Sequence, residues 1–330
     1  MPRRTILPDP RRSPRFAGHC TFCRYPRLED VLPENAPADW ALYGVPYDSG
    51  VTYRPGARFG PRAIREESQY VKPYSPEHDL TLPALLSLAD AGDAPVQPFN
   101  LKATLDAVAA FALTLGEPKA TKLFAVGGDH SIAYANIRAT WERRGQPKGG
   151  LALLHFDSHL DTVDQVFGEK WSHASVFIRA VEDGLIDPRR MLSVGIKGPL
   201  NSADDLKFAR DHGITLLTCE QYRASVRDGR EEVQAFIAQL QGAETYLTFD
   251  IDCIDPAYAP GTGTPSIGGL TSAEALTLLR SLKGANLVGA DIVEVLPDRD
   301  PAGITALLAA HIIFEVLCLD AAGQTGRTRQ

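Results

Sequence analysis

The stretch LLHFDSHLDT, residues 153–162, starts as an apolar run and ends in carboxylates and an imidazole. Its first half is typical of a buried strand, and Asp157, His159 and Asp161 follow at alternating positions. Because side chains alternate across a strand, we expect these three to point to one side and Ser158 to the other. Acids gathered at the end of a buried strand indicate a functional site.

The same kind of apolar run recurs along the chain, with segments of helical periodicity in between. Apolar strands that alternate with helices predict an α/β fold with a mainly parallel sheet covered on both faces. The runs alone do not distinguish a closed barrel from an open sheet, and no linker divides the chain, so we expect one domain. The eight candidate strands are residues 40–46, 85–92, 122–128, 150–157, 191–197, 214–218, 245–252 and 286–295.

The composition narrows the classes of partner. The chain has 330 residues, 44% of them hydrophobic, and a formal net charge of −7. Nucleic-acid binding needs a basic surface, so we expect no nucleic-acid partner, and a cationic substrate would suit the charge better. The most apolar run, residues 304–319, is too short for a membrane span and contains His311 and Glu315. We expect a buried helix there and no membrane partner.

The first residues and the cysteines bear on location. Residues 1–18 are rich in arginine and proline and lack the apolar core of a secretory signal, so we expect a flexible arm before one domain at 19–330. A mitochondrial presequence is an alternative, which Asp9 and four prolines make weaker. Five cysteines in a long chain fit a reducing compartment, so we expect a cytoplasmic protein. The CxxC pair Cys20 and Cys23 lacks a second pair, and we interpret it as incidental rather than metal-binding.

Other predicted strands also end in polar residues. GGDHS contains His130, and TFDIDCIDP contains Asp250 and Asp252. Glu294 lies at the end of the last strand. Sites form at the carboxyl ends of strands in open sheets and barrels alike, so we expect these residues to meet. Each motif alone has a simpler interpretation, such as a turn or a helix cap by Asp129, but their co-occurrence predicts a metal site.

The charges of this site indicate which metal it would hold. Four buried carboxylates repel one another, and the three motifs contain no Lys or Arg, so two divalent ions about 3.5–4 Å apart would balance them. Oxygen ligands with two imidazoles fit Mn²⁺, with Zn²⁺, Fe²⁺, Ni²⁺ and Co²⁺ as contenders. A water between two such ions becomes a hydroxide nucleophile near neutral pH, which predicts hydrolysis. The six expected ligands are His130, Asp157, His159, Asp161, Asp250 and Asp252.

The motifs GGDHS, FDSHLDT and FDIDCIDPAYAPGTGTP, in this order, resemble the signatures of the ureohydrolase superfamily, which includes arginase and agmatinase. Residues 45–67 resemble the agmatinase-like branch, and the resemblance covers nearly the whole chain after the arm. It implies an arginase-like three-layer α/β/α sandwich around an eight-stranded, mainly parallel sheet. It also implies two Mn²⁺ ions per chain and a homo-oligomer, either a trimer or a hexamer.

The resemblance also implies roles for single residues. Asp161 would orient the attacking hydroxide, His173 in the segment KWSHASVF would shuttle protons, and Glu294 would pair with a substrate guanidinium. His155, one step deeper in its strand, is expected to be a core residue or to support the ligands. The ligands would divide so that His130 and Asp161 bind the first ion, His159 and Asp252 the second, and Asp157 and Asp250 both.

The substrate implied is a guanidino compound other than arginine. Arginases have an Asn after the DxHxD segment that reads the α-carboxylate of arginine, and Thr162 and Val163 stand there instead. We expect hydrolysis of agmatine to putrescine and urea, a reaction of polyamine biosynthesis, in keeping with the negative charge. Tyr53 and Arg54 are candidate substrate-binding residues. Since Arg54 could bind a carboxylate, guanidinobutyrate, guanidinopropionate and guanidinoacetate stay open, as does free guanidine.

Two hypotheses from other classes compete with this one. A non-catalytic guanidino-binding or assembly subunit would keep the fold, but the presence of all six ligands with His173 and Glu294 argues against it. A deacetylase-like zinc hydrolase would need one ion, whereas the paired DxHxD and DxDxxD motifs indicate two.

Overall fold

The apolar runs pair side by side in the computed structural model, which describes residues 4–225 and 230–327. The strands in these residues are β1 (Trp40–Val45), β2 (Tyr74–Ser75), β3 (Leu80–Thr81), β4 (Leu88–Asp93), β5 (Lys122–Gly127), β6 (Leu151–Phe156), β7 (Ile186–Val194), β8 (Thr215–Leu217), β9 (Glu244–Asp250) and β10 (Asn286–Val293). Eight of them form one sheet in the order β4-β1-β5-β10-β9-β6-β7-β8, and β2 pairs with β3 separately.

Every pair of neighbours in the eight-stranded sheet is parallel. The sheet is open, with β4 and β8 at its edges, so the barrel alternative is wrong and the predicted eight-stranded parallel sheet is confirmed. Each predicted strand contributes to it. The largest shift is at β7, which begins at Ile186, before the predicted start at residue 191, and ends at Val194. Strand β4 begins only at Leu88, because Leu82–Leu85 form a short helix.

Helices connect the strands. They are α1 (Gly60–Ser68), α2 (Leu82–Leu85), α3 (Leu101–Leu113), α4 (Ala133–Arg143), α5 (Val176–Glu182), α6 (Lys207–His212), α7 (Cys219–Ala224), α8 (Arg230–Gln239), α9 (Ser272–Ser281) and α10 (Ile304–Arg327). Helix α9 begins with a capping box, in which the Thr271 hydroxyl accepts from Glu274 N and the Glu274 carboxylate accepts from Thr271 N.

The side chains of each central strand supply two separate cores. In β1, Trp40 and Leu42 pack into a cluster with residues of α1, α9 and α10. Ala41 and Tyr43 pack into another cluster with residues of α3, α4 and α5. Because neighbouring residues of a strand point to opposite faces, a strand buried on both sides must be apolar throughout. The sheet therefore lies between two helical layers, as in the predicted three-layer arrangement.

Helix α10 is long and apolar. The span Ile304–Gln324 is long and apolar enough to cross a membrane, with a mean hydropathy of 1.9, but 78% of its 18-residue apolar window is buried inside the structure. Its polar residue Glu315 is paired by the imidazole of His78 and by Arg280, whose Nη2 lies 3.0 Å from Glu315 Oε2. These features are typical of a core helix, as the sequence predicted.

The predicted arm is partly attached to the domain. Its residues 1–3 lie outside the described residues, but Thr5 is buried, and its hydroxyl donates to Leu86 O at 2.7 Å and accepts from Leu88 N at 2.8 Å. The flexibility of the arm and its boundary at residue 18 stay predictions. Cys20 is exposed while Cys23 is buried. Among the described residues neither joins a cluster of metal ligands. The interpretation of the pair as incidental stays a prediction.

The strand order brings the polar strand ends together. Strands β5, β10, β9 and β6 are consecutive neighbours at the centre of the sheet. Val293 pairs with Asp250 and Phe156 pairs with Phe249, so these strands end at nearly the same level. Since the strands are parallel, all four polar segments emerge at one edge, where α/β folds form their sites.

Candidate metal centre

The metal-ligand candidates lie just beyond the strands. Strand β6 ends at Phe156, so Asp157, His159 and Asp161 lie in irregular chain, and Asp161 has a left-handed backbone with φ of 52°. Strand alternation was therefore the wrong reason for their convergence. The turns of the chain after Phe156, rather than a pleat, direct the three side chains to one place.

One cluster surrounds the imidazole of His130. Its Nδ1 lies 3.0 Å from Asp157 Oδ2, 2.8 Å from Asp161 Oδ2 and 3.4 Å from Asp250 Oδ2. Nδ1 is buried and has no well-oriented hydrogen-bond partner among the described residues. Three carboxylate oxygens thus surround a nitrogen that has no well-oriented hydrogen bond to any of them. Such an arrangement suits a cation shared by all four atoms.

A second cluster adjoins the first through Asp157. His159 Nδ1 lies 3.0 Å from Asp252 Oδ2 and 3.4 Å from Asp157 Oδ1. Asp157 thus turns one carboxylate oxygen to each cluster, as a bridging ligand would. His159 is the more accessible imidazole, with 39% of its side chain exposed, whereas His130 is fully buried.

The hydrogen bonds behind His130 leave its Nδ1 free for a metal. Thr248 Oγ1 donates to Asp291 Oδ1 at 2.6 Å, so the same oxygen must accept from His130 Nε2, 2.9 Å away. Neutral His130 therefore carries its proton on Nε2 and its lone pair on Nδ1. Tyr246 donates its hydroxyl to the other oxygen of Asp291 at 2.6 Å.

The pKa values in this cluster reflect a demand for positive charge. Burial lowers the pKa of His130, but its contacts with Asp157, Asp161 and Asp250 outweigh burial and raise it well above the usual value. Burial, followed by the charge of Asp252, raises the pKa of Asp250 well above its usual value. Without metal, protons would supply the positive charge that these carboxylates need. The donor set therefore fits divalent ions.

The sequence left the role of His155 open and predicted the direction of Ser158 wrongly. His155 Nε2 lies 2.9 Å from Asp157 Oδ2 and its Nδ1 lies 3.0 Å from Ser193 Oγ, so His155 supports a predicted ligand. Ser158 does not point away from the site, because its hydroxyl donates to Asp252 Oδ1 at 2.7 Å. The reason is again that the strand has ended, so alternation no longer applies.

Two further residues contact Asp252 and were missed. Thr264 Oγ1 donates to Asp252 Oδ2 at 3.1 Å, and Lys197 Nζ donates to Asp252 O at 3.0 Å. Thr264 lies in the GTGTP segment of the third motif, which was a usable signal. Lys197 ends a predicted strand that carried no other polar signal, so nothing in the sequence connected it to the site.

Glu294 lies beside the His130 cluster. It is 1% exposed, and its Oε1 accepts from His130 N and from His173 Nδ1, each at 2.9 Å. Its Oε2 is buried and has no hydrogen-bond partner among the described residues. An unpaired, buried carboxylate oxygen is costly, so this atom is a ready acceptor for a cationic donor.

The segment that contains the candidate residues Tyr53 and Arg54 borders the same place. A Cβ built on Gly263 would lie 2.9 Å from Arg54 O and 3.7 Å from Glu294 Oε2, so both residues line the space at Gly263. The Arg54 guanidinium stacks 4.5 Å above the ring of Tyr53, which is 63% exposed. Thr52 contacts His173. The structure therefore gathers the eight predicted metal and catalytic residues, with Tyr53 and Arg54 at the margin.

Known proteins share this architecture. The model of the arginase family matches residues 38–319. Guanidinopropionase of Pseudomonas aeruginosa is 42% identical over 93% of each chain, and the mitochondrial agmatinase of Gallus gallus is 40% identical over 92% of this chain and 86% of its own. The solved proclavaminate amidino hydrolase of Streptomyces clavuligerus superposes with a TM-score of 0.84 at 37% identity, covering 94% of this chain and 100% of its own.

The chain belongs to the arginase family, and the resemblance to ureohydrolases is confirmed. It is an amidinohydrolase, an enzyme that hydrolyses a carbon–nitrogen bond of an amidine. Its cluster of His and Asp side chains can bind metal.

Proposed function

We propose that this protein hydrolyses a small guanidino compound other than arginine to urea and an amine at a centre of two Mn²⁺ ions, and that its substrate is a guanidino acid. The observation that carries the proposal is Oε2 of Glu294, which is buried beside the His130 cluster and has no hydrogen-bond partner in the part of the chain that the structure describes. A guanidinium combines a positive charge with planar N–H donors, and both match a buried carboxylate.

The metal part of the proposal rests on the donor set. His130, Asp161 and Asp250 surround one position and His159 and Asp252 the other, with Asp157 between them. Mixed oxygen and imidazole ligands favour Mn²⁺, and Zn²⁺, Ni²⁺, Fe²⁺ and Co²⁺ are the contenders. When bound, two such ions would lower the pKa of a water molecule, so that it could attack the guanidino carbon as hydroxide near neutral pH.

Residues of this chain would then carry out the remaining steps. Glu294 Oε2 would accept from the substrate guanidinium and hold its plane against the metal cluster. Asp161 would accept a hydrogen bond from the attacking water. Burial lowers the pKa of His173, but Glu294, with smaller effects of Asp161 and Asp129, outweighs burial and raises this pKa to about 9. His173 can therefore hold the proton that the leaving amine requires.

The acid part of the proposal rests on Arg54. Its backbone borders Gly263 next to Glu294, and its guanidinium pairs with no carboxylate among the described residues. The guanidinium itself lies over the exposed ring of Tyr53. On this proposal it would bind the carboxylate at the far end of a guanidino acid. The name of the guanidinopropionase relative agrees with such a substrate.

Agmatine is the second candidate. The formal net charge of −7 favours a dicationic substrate, and one relative is named as an agmatinase. The two candidates differ in the charge of the distal group, so Arg54 would attract one and repel the other.

The test is urea release by the Mn²⁺-loaded protein from agmatine, guanidinoacetate, 3-guanidinopropionate, 4-guanidinobutyrate, arginine and guanidine, with metal counted per chain. We expect two ions and turnover of a guanidino acid. Arg54→Gln should lower kcat/KM for that acid and not for agmatine, whereas Arg62→Gln, at an exposed position of α1, should change neither. Preference for agmatine in the wild type would overturn the acid assignment.

Absence of urea from every compound with Mn²⁺, Ni²⁺ and Zn²⁺ would instead support the non-catalytic binding or assembly subunit.

We further propose that the protein acts in the cytoplasm, since its five cysteines are free, and that it forms a trimer or hexamer. Light scattering of the purified protein tests the oligomer, and fractionation of cells tests the location.

A further inference from the structure

The ring of His173 is held at both nitrogens. Nδ1 lies 2.9 Å from Glu294 Oε1, while Nε2 lies 3.0 Å from Thr52 N and 2.8 Å from Thr52 Oγ1. The backbone joins in, because His173 N donates to Gly50 O at 2.9 Å. Gly50 N in turn donates to Asp129 Oδ2 at 2.8 Å, which ties this part of the chain to the residue before His130.

These contacts define the neutral tautomer of His173. A backbone N–H can only donate, so Nε2 must accept from Thr52 N. The proton of neutral His173 is therefore on Nδ1, where the carboxylate of Glu294 accepts it.

The protonated ring needs something different from Thr52. An imidazolium carries a hydrogen on Nε2 as well, and this hydrogen requires an acceptor that Thr52 N cannot provide. The Thr52 hydroxyl can rotate, so it donates to Nε2 in the neutral ring and accepts from Nε2–H in the imidazolium. Among the contacts of Nε2 in the described residues, this hydroxyl is the one group that serves both states.

We propose that Thr52 is a positioning residue for His173, whose N–H selects the Nδ1–H tautomer and whose hydroxyl receives the Nε2–H of the imidazolium. The inference deepens the proposed function, because it rests on His173 as the proton carrier of that reaction. The carboxylate of Glu294 contacts His173 at 2.9 Å, and the charges of Asp161 and Asp129 also act on the ring. Their negative charges favour the imidazolium, and the Thr52 hydroxyl supplies the hydrogen-bond acceptor that its Nε2–H needs.

Thr52→Val and Thr52→Ser separate the hydroxyl from the backbone. Valine has the shape of threonine and keeps the N–H, whereas serine keeps the hydroxyl. We expect Thr52→Val to lower kcat roughly tenfold at unchanged KM and metal content, because proton transfer loses its partner. Thr52→Ser should keep most of the wild-type kcat. Equal kcat in the wild type and Thr52→Val would overturn the proposal.

A second readout does not require turnover. In the diamagnetic Zn²⁺-loaded protein with ¹⁵N-labelled histidine, His173 signals are assigned by their loss in His173→Asn. Above a pH of about 9, where the His173 ring is neutral, we expect the Nδ1–H tautomer in the wild type. In Thr52→Val we expect a proton affinity about tenfold lower. The Nε2–H tautomer would overturn the role of Thr52. Failure of the proposed function would appear separately, as absence of urea from the wild type with the tautomer unchanged.

Discussion

The backbone of Glu294 adopts a φ of 65°, which is uncommon for a residue with a side chain. Strand β10 ends one residue earlier, and this left-handed turn directs the carboxylate into the buried space beside His130. Unfavourable backbone geometry of this kind is found where a site requires it. The turn thus places one carboxylate oxygen on protein donors and leaves the other for a ligand.

Replacing Glu294 by glutamine tests these separate roles of the two carboxylate oxygens. We expect metal content to stay at the wild-type level, because Glu294 contacts His130 only through the backbone N–H. Loss of the charge opposite a guanidinium should cost about 2–5 kcal/mol, at least roughly thirtyfold in kcat/KM. Steady-state kinetics with the preferred substrate measure kcat/KM, and metal analysis measures the ions bound per chain. Glu66→Gln, at an exposed position of α1, is the control, and loss of metal in Glu294→Gln would show that Glu294 supports the ions instead.

Residues of strands β9 and β10 hold the imidazole of His130, the expected ligand that follows β5. Thr248 of β9 connects His130 to Asp291 of β10, and Tyr246 of β9 holds the other oxygen of Asp291. Asn136 of α4 donates to Tyr246 at 2.6 Å. These groups are all buried, so each hydrogen bond fixes the next one in a low-dielectric interior. The orientation of His130 therefore depends on side chains, those of Thr248, Asp291, Tyr246 and Asn136, that are not themselves expected metal ligands.

Asp291→Asn should weaken metal binding about 10- to 100-fold, because Thr248 loses its ionised acceptor and His130 its fixed orientation. Calorimetric titration of the metal-free protein with Zn²⁺ measures the affinity. Tyr246→Phe removes one donor to Asp291 but keeps its charge, so it should have the smaller effect. An unchanged affinity in Asp291→Asn would mean that the strands position His130 by packing alone.

The pairing of Glu315 connects α10 to α9 and to the β2–β3 hairpin. Burial opposes ionisation of this carboxyl, but hydrogen bonds from His78 and Arg280 hold the pKa of Glu315 below its usual value of 4.5. Since the folded-state pKa is the lower one, the stabilisation is complete above about pH 4.5. It is lost as the pH falls from there through the folded-state pKa.

Glu315→Gln should therefore destabilise the metal-free protein by about 1.5–3 kcal/mol at neutral pH, because Arg280 and His78 lose a charged, buried hydrogen-bond partner. Urea unfolding at a series of pH values measures the difference between wild type and variant. We expect the difference to shrink below pH 4.5. Glu142→Gln, which breaks a more exposed pair with Arg138, is the control and should change stability little. A difference independent of pH would contradict the linkage.

Folding brings four carboxylates to one edge of the sheet, so the stability of the whole molecule is coupled to the ions. A ligand that binds only the folded state stabilises it by about 4 kcal/mol at a thousandfold excess over Kd. We expect chelation to lower the Tm of the wild type by several degrees and Mn²⁺ to restore it.

Asp250→Asn should lose most of this metal-dependent shift, because it removes a carboxylate that faces His130 Nδ1. Its hydrolytic activity should disappear together with its metal content. Differential scanning calorimetry with and without chelator measures the shift. Equal Tm values for the wild type in both conditions would mean that the clusters hold no ion in solution.

Much of this protein could be predicted from its sequence because the signals are local. A strand buried on both faces must be apolar over its own length, so all eight sheet strands were predicted from single runs. The chemistry of DxHxD and DxDxxD likewise depends on residue types at short spacing. The motifs therefore determined the family, the expected ligands and a class of reaction.

The tertiary structure decided what depends on residues far apart in the chain. The open order of the strands, the contact of Thr52 with His173 across 121 positions and the support of Asp252 by Lys197 across 55 have no local signal. Ser158 was placed wrongly because alternation holds only while the strand continues. Residue types determine which chemistry is available, whereas the packing of strands against one another determines which side chains meet to perform it.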